Sequence, residues 1–364
     1  MAQVFVARGA QCRAYHFPLR TGQAQFCLLM EFEASGNLVA WICFSIMVVL
    51  GVATVIEEFF VQCVLSCGNP SEVTSLRSLF WLRVLFGRTR ARCVGALAET
   101  RLPKPLRAPV YHLFSMACGC CLDEVSKPLD SFPSLADFFC RSLKEGARTI
   151  ADLPRGLVSP VDGRVLTAGI IDRPNARVEQ VKGTTYSVRG LLGCDPVKTK
   201  KPDTVVRYAV IYLSPGDYHQ VHSPCEYMVH HGRHFPGELL PVGGGILRWM
   251  HDVFCVNERV VLSGSWFFGA MYTVAVGAAN VGKIYMNFDP AFTTNNSSER
   301  TVHCGGDVVS RPYSDGIQLG AGDALGGFRL GSTVVLVFES PSDFEWIAKP
   351  GDRVHVGQPL GQAL

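Results

Sequence analysis

From Leu157 to the C-terminus, short apolar runs rich in β-branched residues alternate with glycine and proline turns. This texture limits the possible fold more than any other feature, because such runs are typical of strands and the turns between them are short. No regular helical segment separates the runs, so an alternating β-α-β array is not expected. We therefore expect an α+β fold with a mainly β domain of short antiparallel strands and a few helices at residues 131–364. The clearest predicted strands are 205–213, 271–276, 284–286 and 333–338.

The N-terminal residues differ in composition and predict attachment to a membrane. Residues 1–37 are basic and contain no acidic residue before Glu31, which is typical of a mitochondrial targeting segment. Residues 38–56 contain no charged residue, and a helix of this length spans the hydrocarbon core of a bilayer. Basic residues precede this segment and Glu57-Glu58 follow it, which favours an N-terminus in the matrix. We expect a single-pass protein of the mitochondrial inner membrane, with its main domain facing the intermembrane space.

Residues 57–130 form a predicted basic, membrane-proximal helical region. Eight basic residues lie between Arg77 and Arg107, against the single acidic residue Glu99. They form either a solvated helical face or a patch that contacts anionic lipid headgroups. The whole chain has a net charge of only +3, so a nucleic-acid partner is not expected.

Three helices are predicted before the β-rich part. The first covers 75–98, and the prolines at 103, 105 and 109 should end the helical pattern. An apolar helix should follow at 109–122. Another helix is predicted at 135–144, where Ser134 has the residue type of an N-cap.

Three short motifs contain residues that could carry chemistry. Asp162 lies in the turn Ser159-Pro-Val-Asp-Gly, where an aspartate often bonds only local backbone. His219 and His222 follow a predicted strand and a Pro-Gly turn, and they fit either a metal pair or a general base with a neighbouring proton donor. The Gly331-Ser332 step stands where a glycine-rich loop enters a strand, so Ser332 is either a nucleophile or an ordinary strand residue.

No metal site is expected. Cys118-Gly-Cys120-Cys121 has one C-x-x-C spacing, but no second Cys/His pair follows at a distance typical of zinc sites. The segment around the two histidines also lacks a standard metal-binding spacing.

Taken together, these motifs resemble the phosphatidylserine decarboxylase proenzymes of the mitochondrial, membrane-anchored type. The resemblance covers 135–364, and its motifs occur in the family's order. The matching segments are Phe138-Phe-x-Arg141-x-Leu-Lys144, Ser159-Pro-Val-Asp162-Gly163, Val181-Lys-Gly-Thr-Thr-Tyr186, Tyr218-His219-x-x-His222-Ser-Pro224, Asn257-Glu-Arg-Val260, Val276-Gly-Ala-Ala-Asn280-Val-Gly282 and Leu330-Gly331-Ser332-Thr333.

The resemblance implies a proenzyme that cuts itself between Gly331 and Ser332. The products would be a β chain, residues 1–331, and an α chain, residues 332–364, which stay together as a heterodimer. Ser332 would become a covalent pyruvoyl group, which is the cofactor. Through a Schiff base with this group, the enzyme would convert phosphatidylserine in a membrane to phosphatidylethanolamine. A higher oligomer is possible.

The resemblance also assigns roles to the polar residues. Asp162, His222 and Ser332 would form a charge relay for self-cleavage, in which the carboxylate orients the imidazole that activates the hydroxyl. His219 is the candidate for a part in decarboxylation or protonation.

Three other functions fit parts of the sequence. A Ser/His/Asp hydrolase would keep Ser332 intact, but the G-x-S-x-G pattern is absent around this residue. A pyruvoyl decarboxylase for a soluble amino acid would not need a membrane span. A lipoyl- or biotinyl-carrier fold has a similar hairpin rhythm to 349–361, but this segment has no suitable lysine at a hairpin tip.

Overall fold

The computed structural model describes part of the chain, which separates into two compact units, Met1–Cys67 and Gly68–Leu364. In the first unit, β1 (Ala2–Arg8) and β2 (Gln11–Phe17) pair in antiparallel fashion. The described residues are 2–8, 11–17, 88–171, 177–181, 184–194, 203–240, 242, 252–278, 283–294, 308–329 and 332–363.

None of the described helices has the length and apolar character needed to cross a bilayer. The predicted transmembrane segment 38–56 lies outside the described residues, as does most of the predicted targeting segment. Both remain predictions.

The described helices of the second unit are short and lie mainly before the β-rich part. They are α1 (Arg88–Glu99), α2 (Lys104–Cys118), α3 (Leu135–Phe139), α4 (Val188–Leu192) and α5 (Val253–Val256), with a 3-10 turn at Leu129–Ser131.

Helix α2 corrects the bounds of the helix predicted at 109–122, and Pro105 and Pro109 do not break it. The helix begins directly after Pro103 and continues through Pro109 to Cys118. Pro105 lies in the first turn, where backbone N–H groups have no partner within the helix, so it is tolerated there. Burial of apolar side chains outweighs the loss at Pro109, and the Tyr111 ring stacks on Phe138 with a centroid separation of 4.8 Å.

Helix α3 begins as predicted but is shorter. The Ser134 side chain accepts a hydrogen bond from the Asp137 N–H at 3.2 Å, which confirms the N-cap. The helix ends at Phe139 and not at 144, because Leu143 pairs with Val125 in an isolated β-bridge.

The rest of the unit is mainly antiparallel β-structure, which confirms the expected fold class. The strands before residue 279 are β3 (Gly156–Val158), β4 (Gly163–Ile171), β5 (Arg177–Val181), β6 (Thr184–Ser187), β7 (Thr204–Leu213), β8 (Gln220–His222), β9 (Tyr227–Phe235), β10 (Arg259–Trp266) and β11 (Gly269–Gly277). The later strands are β12 (Ile284–Met286), β13 (Val309–Leu319), β14 (Ala324–Phe328), β15 (Ser332–Pro341), β16 (Phe344–Trp346), β17 (Arg353–Val354) and β18 (Pro359–Ala363).

Eight of these strands form one sheet in the order β13-β9-β10-β11-β15-β7-β4-β17. Two three-stranded sheets, β12-β14-β8 and β16-β18-β3, and the pair β5-β6 complete the β-structure. Strand β15 lies between β11 and β7, and residues 334–338 are fully buried within the core. All four predicted strands are confirmed as parts of β7, β11, β12 and β15.

Candidate functional site

Two of the chain segments between the large sheet and the β12-β14-β8 sheet are joined at both ends by backbone pairing. The first leads from β7 to β8 through Ser214–His219, and the second leads from β14 to β15 through 329–331. At one end, Leu213 is the pairing partner of Ser332. At the other end, the Phe328 N–H donates to the His219 carbonyl at 3.1 Å. The strand pairing therefore places the predicted cleavage step next to the loop that carries His219.

Cys140, the first residue after α3, forms hydrogen bonds next to both connections. The Cys140 carbonyl accepts a hydrogen bond from the Gln220 side chain at 3.0 Å, and the Cys140 thiol donates to the Phe328 carbonyl at 3.1 Å. The turn before His219 also packs closely on the end of α2. A Cβ added at Gly216 would lie 2.0 Å from the Cys118 carbonyl oxygen, so only glycine fits there.

His219 is completely buried, and its ring packs on Phe139 with a centroid separation of 4.0 Å. Nδ1–H donates to the Asp217 carbonyl at 2.8 Å, which leaves the lone pair on Nε2. Nε2 has no hydrogen-bond partner among the described residues. Burial lowers the pKa of His219 to about 3, because the charged imidazolium is poorly solvated there. His219 is therefore neutral at physiological pH.

Acidification should destabilise the fold through His219. Its folded-state pKa of about 3 lies below the ordinary 6.5, so between these values the unfolded state binds a proton that the folded state does not. Stability then rises with pH across this window, by at most about 1.4 kcal/mol per pH unit for one group. We expect His219→Asn, which can still donate to the Asp217 carbonyl, to show a smaller loss of stability between pH 7 and pH 5. Urea unfolding at both pH values measures this, and equal losses in the two proteins would contradict it.

His222 lies at the end of β8 and is partly exposed. Nδ1–H donates to the Gly322 carbonyl at 2.8 Å, so the neutral ring has its lone pair on Nε2. Nε2 accepts a hydrogen bond from the Tyr218 hydroxyl at 3.1 Å. Burial lowers the pKa of His222 against the opposing influence of Gly322 and Asp162, which favours the neutral, basic form of the ring.

Asp162 is buried in the turn between β3 and β4. The His222 N–H donates to the Pro160 carbonyl at 2.8 Å, so the backbone brings this turn and β8 together. The carboxylate itself bonds elsewhere, since it accepts from Arg148 and, at 2.8 Å, from the Val356 N–H. The expected contact between the Asp162 carboxylate and the His222 imidazole is therefore not a direct hydrogen bond in this structure.

The sequence analysis did not predict two residues that lie against Asp162. Arg148 bridges the carboxylates of Asp162 and Glu124, and the Nδ1 atom of His355 lies 3.2 Å from Asp162 Oδ2. Burial by itself would raise the pKa of Asp162, but the bonds from Arg148 and the Val356 N–H outweigh it and lower the pKa. The carboxylate is therefore ionised. No motif pointed to Arg148 or His355, because the fold brings them to Asp162 from separate segments.

The remaining predicted site residues are only partly described. The backbone of Ser332 pairs with Leu213 and Gly277, but Gly331 and the Ser332 side chain lie outside the described residues. The structure thus brings Asp162, His219 and His222 together around the two connections. The charge relay and the cleavage step remain predictions.

An antiparallel β-domain with an ionised carboxylate and neutral imidazoles beside a Gly-Ser step is consistent with a self-processing enzyme. Comparison with known proteins identifies the group. A sequence model of the family described as "Phosphatidylserine decarboxylase" matches residues 135–362. The chain therefore belongs to the phosphatidylserine decarboxylase family.

Similar proteins carry names that agree with this family. The chain is 42% identical over 304 residues to "Phosphatidylserine decarboxylase proenzyme 1, mitochondrial" of Toxoplasma gondii, covering 83% of this chain and 71% of the relative. It is 40% identical over 294 residues to the mitochondrial proenzyme of Rattus norvegicus, covering 75% and 72%. It is 36% identical over 295 residues to the proenzyme of Plasmodium falciparum, covering 80% and 81%.

Proposed function

We propose that this protein decarboxylates phosphatidylserine to phosphatidylethanolamine after it has cut itself between Gly331 and Ser332. The observation that carries the proposal is the pairing of Ser332 with Leu213 and of Phe328 with His219, which sets the cleavage step beside the histidine loop. Membership of the family and the word "proenzyme" in the relatives' names support the same function.

Self-cleavage begins with attack of Ser332 Oγ on the Gly331 carbonyl carbon. His222 Nε2 accepts the hydroxyl proton and then gives it to the Ser332 nitrogen as the C–N bond breaks, so the amide becomes an ester and a free amine. Elimination then removes the Ser332 α-proton and releases the Gly331 carboxylate, which leaves a dehydroalanine at 332. Addition of water and loss of ammonia convert that residue to the pyruvoyl group.

Asp162 supports this step through the field of its charge. Its ionised carboxylate opposes the lowering of the His222 pKa and stabilises the imidazolium that forms when the ring takes a proton. Arg148 and the Val356 N–H hold the carboxylate in place and ionised.

The fold fits a pyruvoyl group at position 332. A ketone needs polar neighbours, and the loop beside Ser332 contains a buried imidazole nitrogen with no partner among the described residues. When formed, the group would supply a carbonyl that condenses with the substrate amine as a Schiff base and accepts the electron pair left by carbon dioxide. His219, with a buried and neutral ring, would hold or move a proton in that step through Nε2.

The short α chain would stay bound after the cut. Its strand β15 is paired on both sides by β11 and β7, β17 pairs with β4, and β18 pairs with β3. All four partners belong to the β chain. The two chains would therefore remain a heterodimer held by backbone hydrogen bonds and a shared core.

The proposed location follows from the substrate and the N-terminal sequence. The relatives from Toxoplasma gondii and Rattus norvegicus are named as mitochondrial. We place this protein in the mitochondrial inner membrane through a single span at 38–56, with 57–364 facing the intermembrane space. The basic region 57–130 would then lie near anionic headgroups.

Intact mass spectrometry of the purified protein tests the function. We expect two chains, with the small chain starting at 332 and carrying a carbonyl that sodium borohydride reduces and hydroxylamine traps. The same sample should release carbon dioxide from phosphatidylserine and form phosphatidylethanolamine, and borohydride should abolish this activity. A single full-length chain that resists both reagents would instead favour a hydrolase with an intact Ser332.

A further inference from the structure

Arg141 is a buried cation that the proposed mechanism does not use. The residue is 3% exposed and lies two positions after the end of α3. Nη2 donates to the Gly216 carbonyl at 2.9 Å and to the Asp217 carbonyl at 3.3 Å. Nε and Nη1 have no hydrogen-bond partner among the described residues. A guanidinium with unpaired buried donors is unfavourable unless a further acceptor binds there.

The nearest carboxylates are already engaged. Asp217 accepts from the Ser214 N–H at 2.7 Å and from Arg353, so Arg141 bonds only to the backbone carbonyl of that residue. Asp137 bonds to Ser134 and Arg329. Within the described part of the chain, the charge of Arg141 is therefore not neutralised by a hydrogen-bonded carboxylate, and an anionic ligand would supply what is missing.

Arg141 lies at the candidate site. Its Nη2 and the Nδ1 of His219 both donate to the carbonyl of Asp217, which sets the guanidinium beside the imidazole. The same turn follows Leu213, the pairing partner of Ser332. An anion held by Nη1 would thus sit close to His219, at the turn that follows the pairing partner of Ser332.

We propose that Arg141 binds the phosphodiester group of the phospholipid headgroup, an inference that rests on the proposed function. Nη1 has free N–H donors, and a charge-assisted hydrogen bond from a guanidinium to a phosphate oxygen is stronger than one between neutral groups. The substrate carboxylate is the less suitable partner, because its charge must leave as neutral carbon dioxide. A guanidinium on that carboxylate would stabilise the starting state more than the transition state and so slow the reaction. The phosphodiester keeps its charge throughout, and binding it lowers KM without such a penalty.

The test uses Arg141→Met and Arg141→Lys in the full-length chain, with Arg353→Met as the matched control. Arg353 also bonds to Asp217, but its side chain is 61% exposed. With water-soluble dihexanoyl phosphatidylserine, we expect Arg141→Met to raise KM about tenfold or more with kcat changed little. Arg141→Lys should recover part of the loss, and Arg353→Met should leave KM near that of the unmodified protein. A denaturing gel shows whether each variant is cut.

Binding of dihexanoyl phosphatidylethanolamine, measured by calorimetry, separates the two anionic groups without any reaction. This product has the phosphodiester but no carboxylate, so its Kd should rise about tenfold or more in Arg141→Met. A raised KM with an unchanged product Kd would assign Arg141 to the carboxylate and overturn the proposal. Unchanged KM and Kd, or failure of both Arg141 variants to be cut, would assign the residue to the turn alone and also overturn it. If the unmodified protein binds the product but does not decarboxylate, the proposed function fails and not the role of Arg141.

Discussion

Replacing Ser332 by alanine is expected to leave the chain in one piece and without decarboxylase activity. The substitution removes the hydroxyl that is proposed to attack the Gly331 carbonyl, and with it the side-chain oxygen that the elimination step needs to form the pyruvoyl group. Both losses should be complete and not partial. A denaturing gel and intact mass measure the first, and carbon dioxide release from phosphatidylserine measures the second.

Thr333→Val supplies the matched control one residue further on. Thr333 is fully buried in β15, and its hydroxyl has no hydrogen-bond partner among the described residues. Valine keeps the shape of the side chain and removes only that hydroxyl, so folding and processing should continue. If Ser332→Ala were still cut and active, or if only Thr333→Val stayed uncut, the cleavage step would have been assigned to the wrong residue.

Replacing His222 by alanine should slow self-cleavage by about 100-fold to 10,000-fold, the usual contribution of a general base. The hydrogen bond from Nδ1–H to the Gly322 carbonyl leaves Nε2 as the basic atom. Its lowered pKa keeps the ring neutral to below pH 6.5, so the cleavage rate should rise with pH only below that value and then level off. Following the two bands on a gel after translation in vitro, at several pH values, measures both effects.

Two further variants test the roles of the Tyr218 hydroxyl and the Asp162 carboxylate in self-cleavage. Tyr218→Phe removes the hydroxyl that bonds to Nε2 but keeps the ring, so cleavage should continue, because the base remains. Asp162→Asn should slow cleavage, since the neutral amide no longer stabilises the imidazolium. Normal cleavage in both His222→Ala and Asp162→Asn would refute the relay.

The strands were predictable because their signal is local. Valine recurs in both strands, with isoleucine and tyrosine in β7 and with leucine and phenylalanine in β15, and these residues favour extended backbone and burial together. The helices were less predictable because distant contacts decide their ends. Helix α2 continues through Pro109 since Tyr111 and Phe114 pack on residues of α3, and no local pattern contains that information.

Some residues of the candidate site were likewise predictable from local motifs, and others depend on distant contacts. Asp162, His219 and His222 stand in motifs that mark them in the sequence, and backbone hydrogen bonds between those motifs account for their proximity. Arg148 reaches Asp162 and Glu124 only because the loop after residue 144 folds back onto them. Contacts between distant segments determine the path of that loop, and the local sequence does not contain them. Arg141 lay within a motif of the resemblance, yet its unpaired donors become visible only when the surrounding acceptors are known.

Three of the last four strands pair with earlier ones, which has a consequence for the lifetime of the protein after the proposed cut. Because β15, β17 and β18 each pair with a strand that would belong to the large fragment, the small fragment would leave only if several rows of backbone hydrogen bonds broke together. Each molecule would thus keep for life the fragment that it made, and one whose terminal ketone has been chemically damaged could not regain activity by exchange with its neighbours.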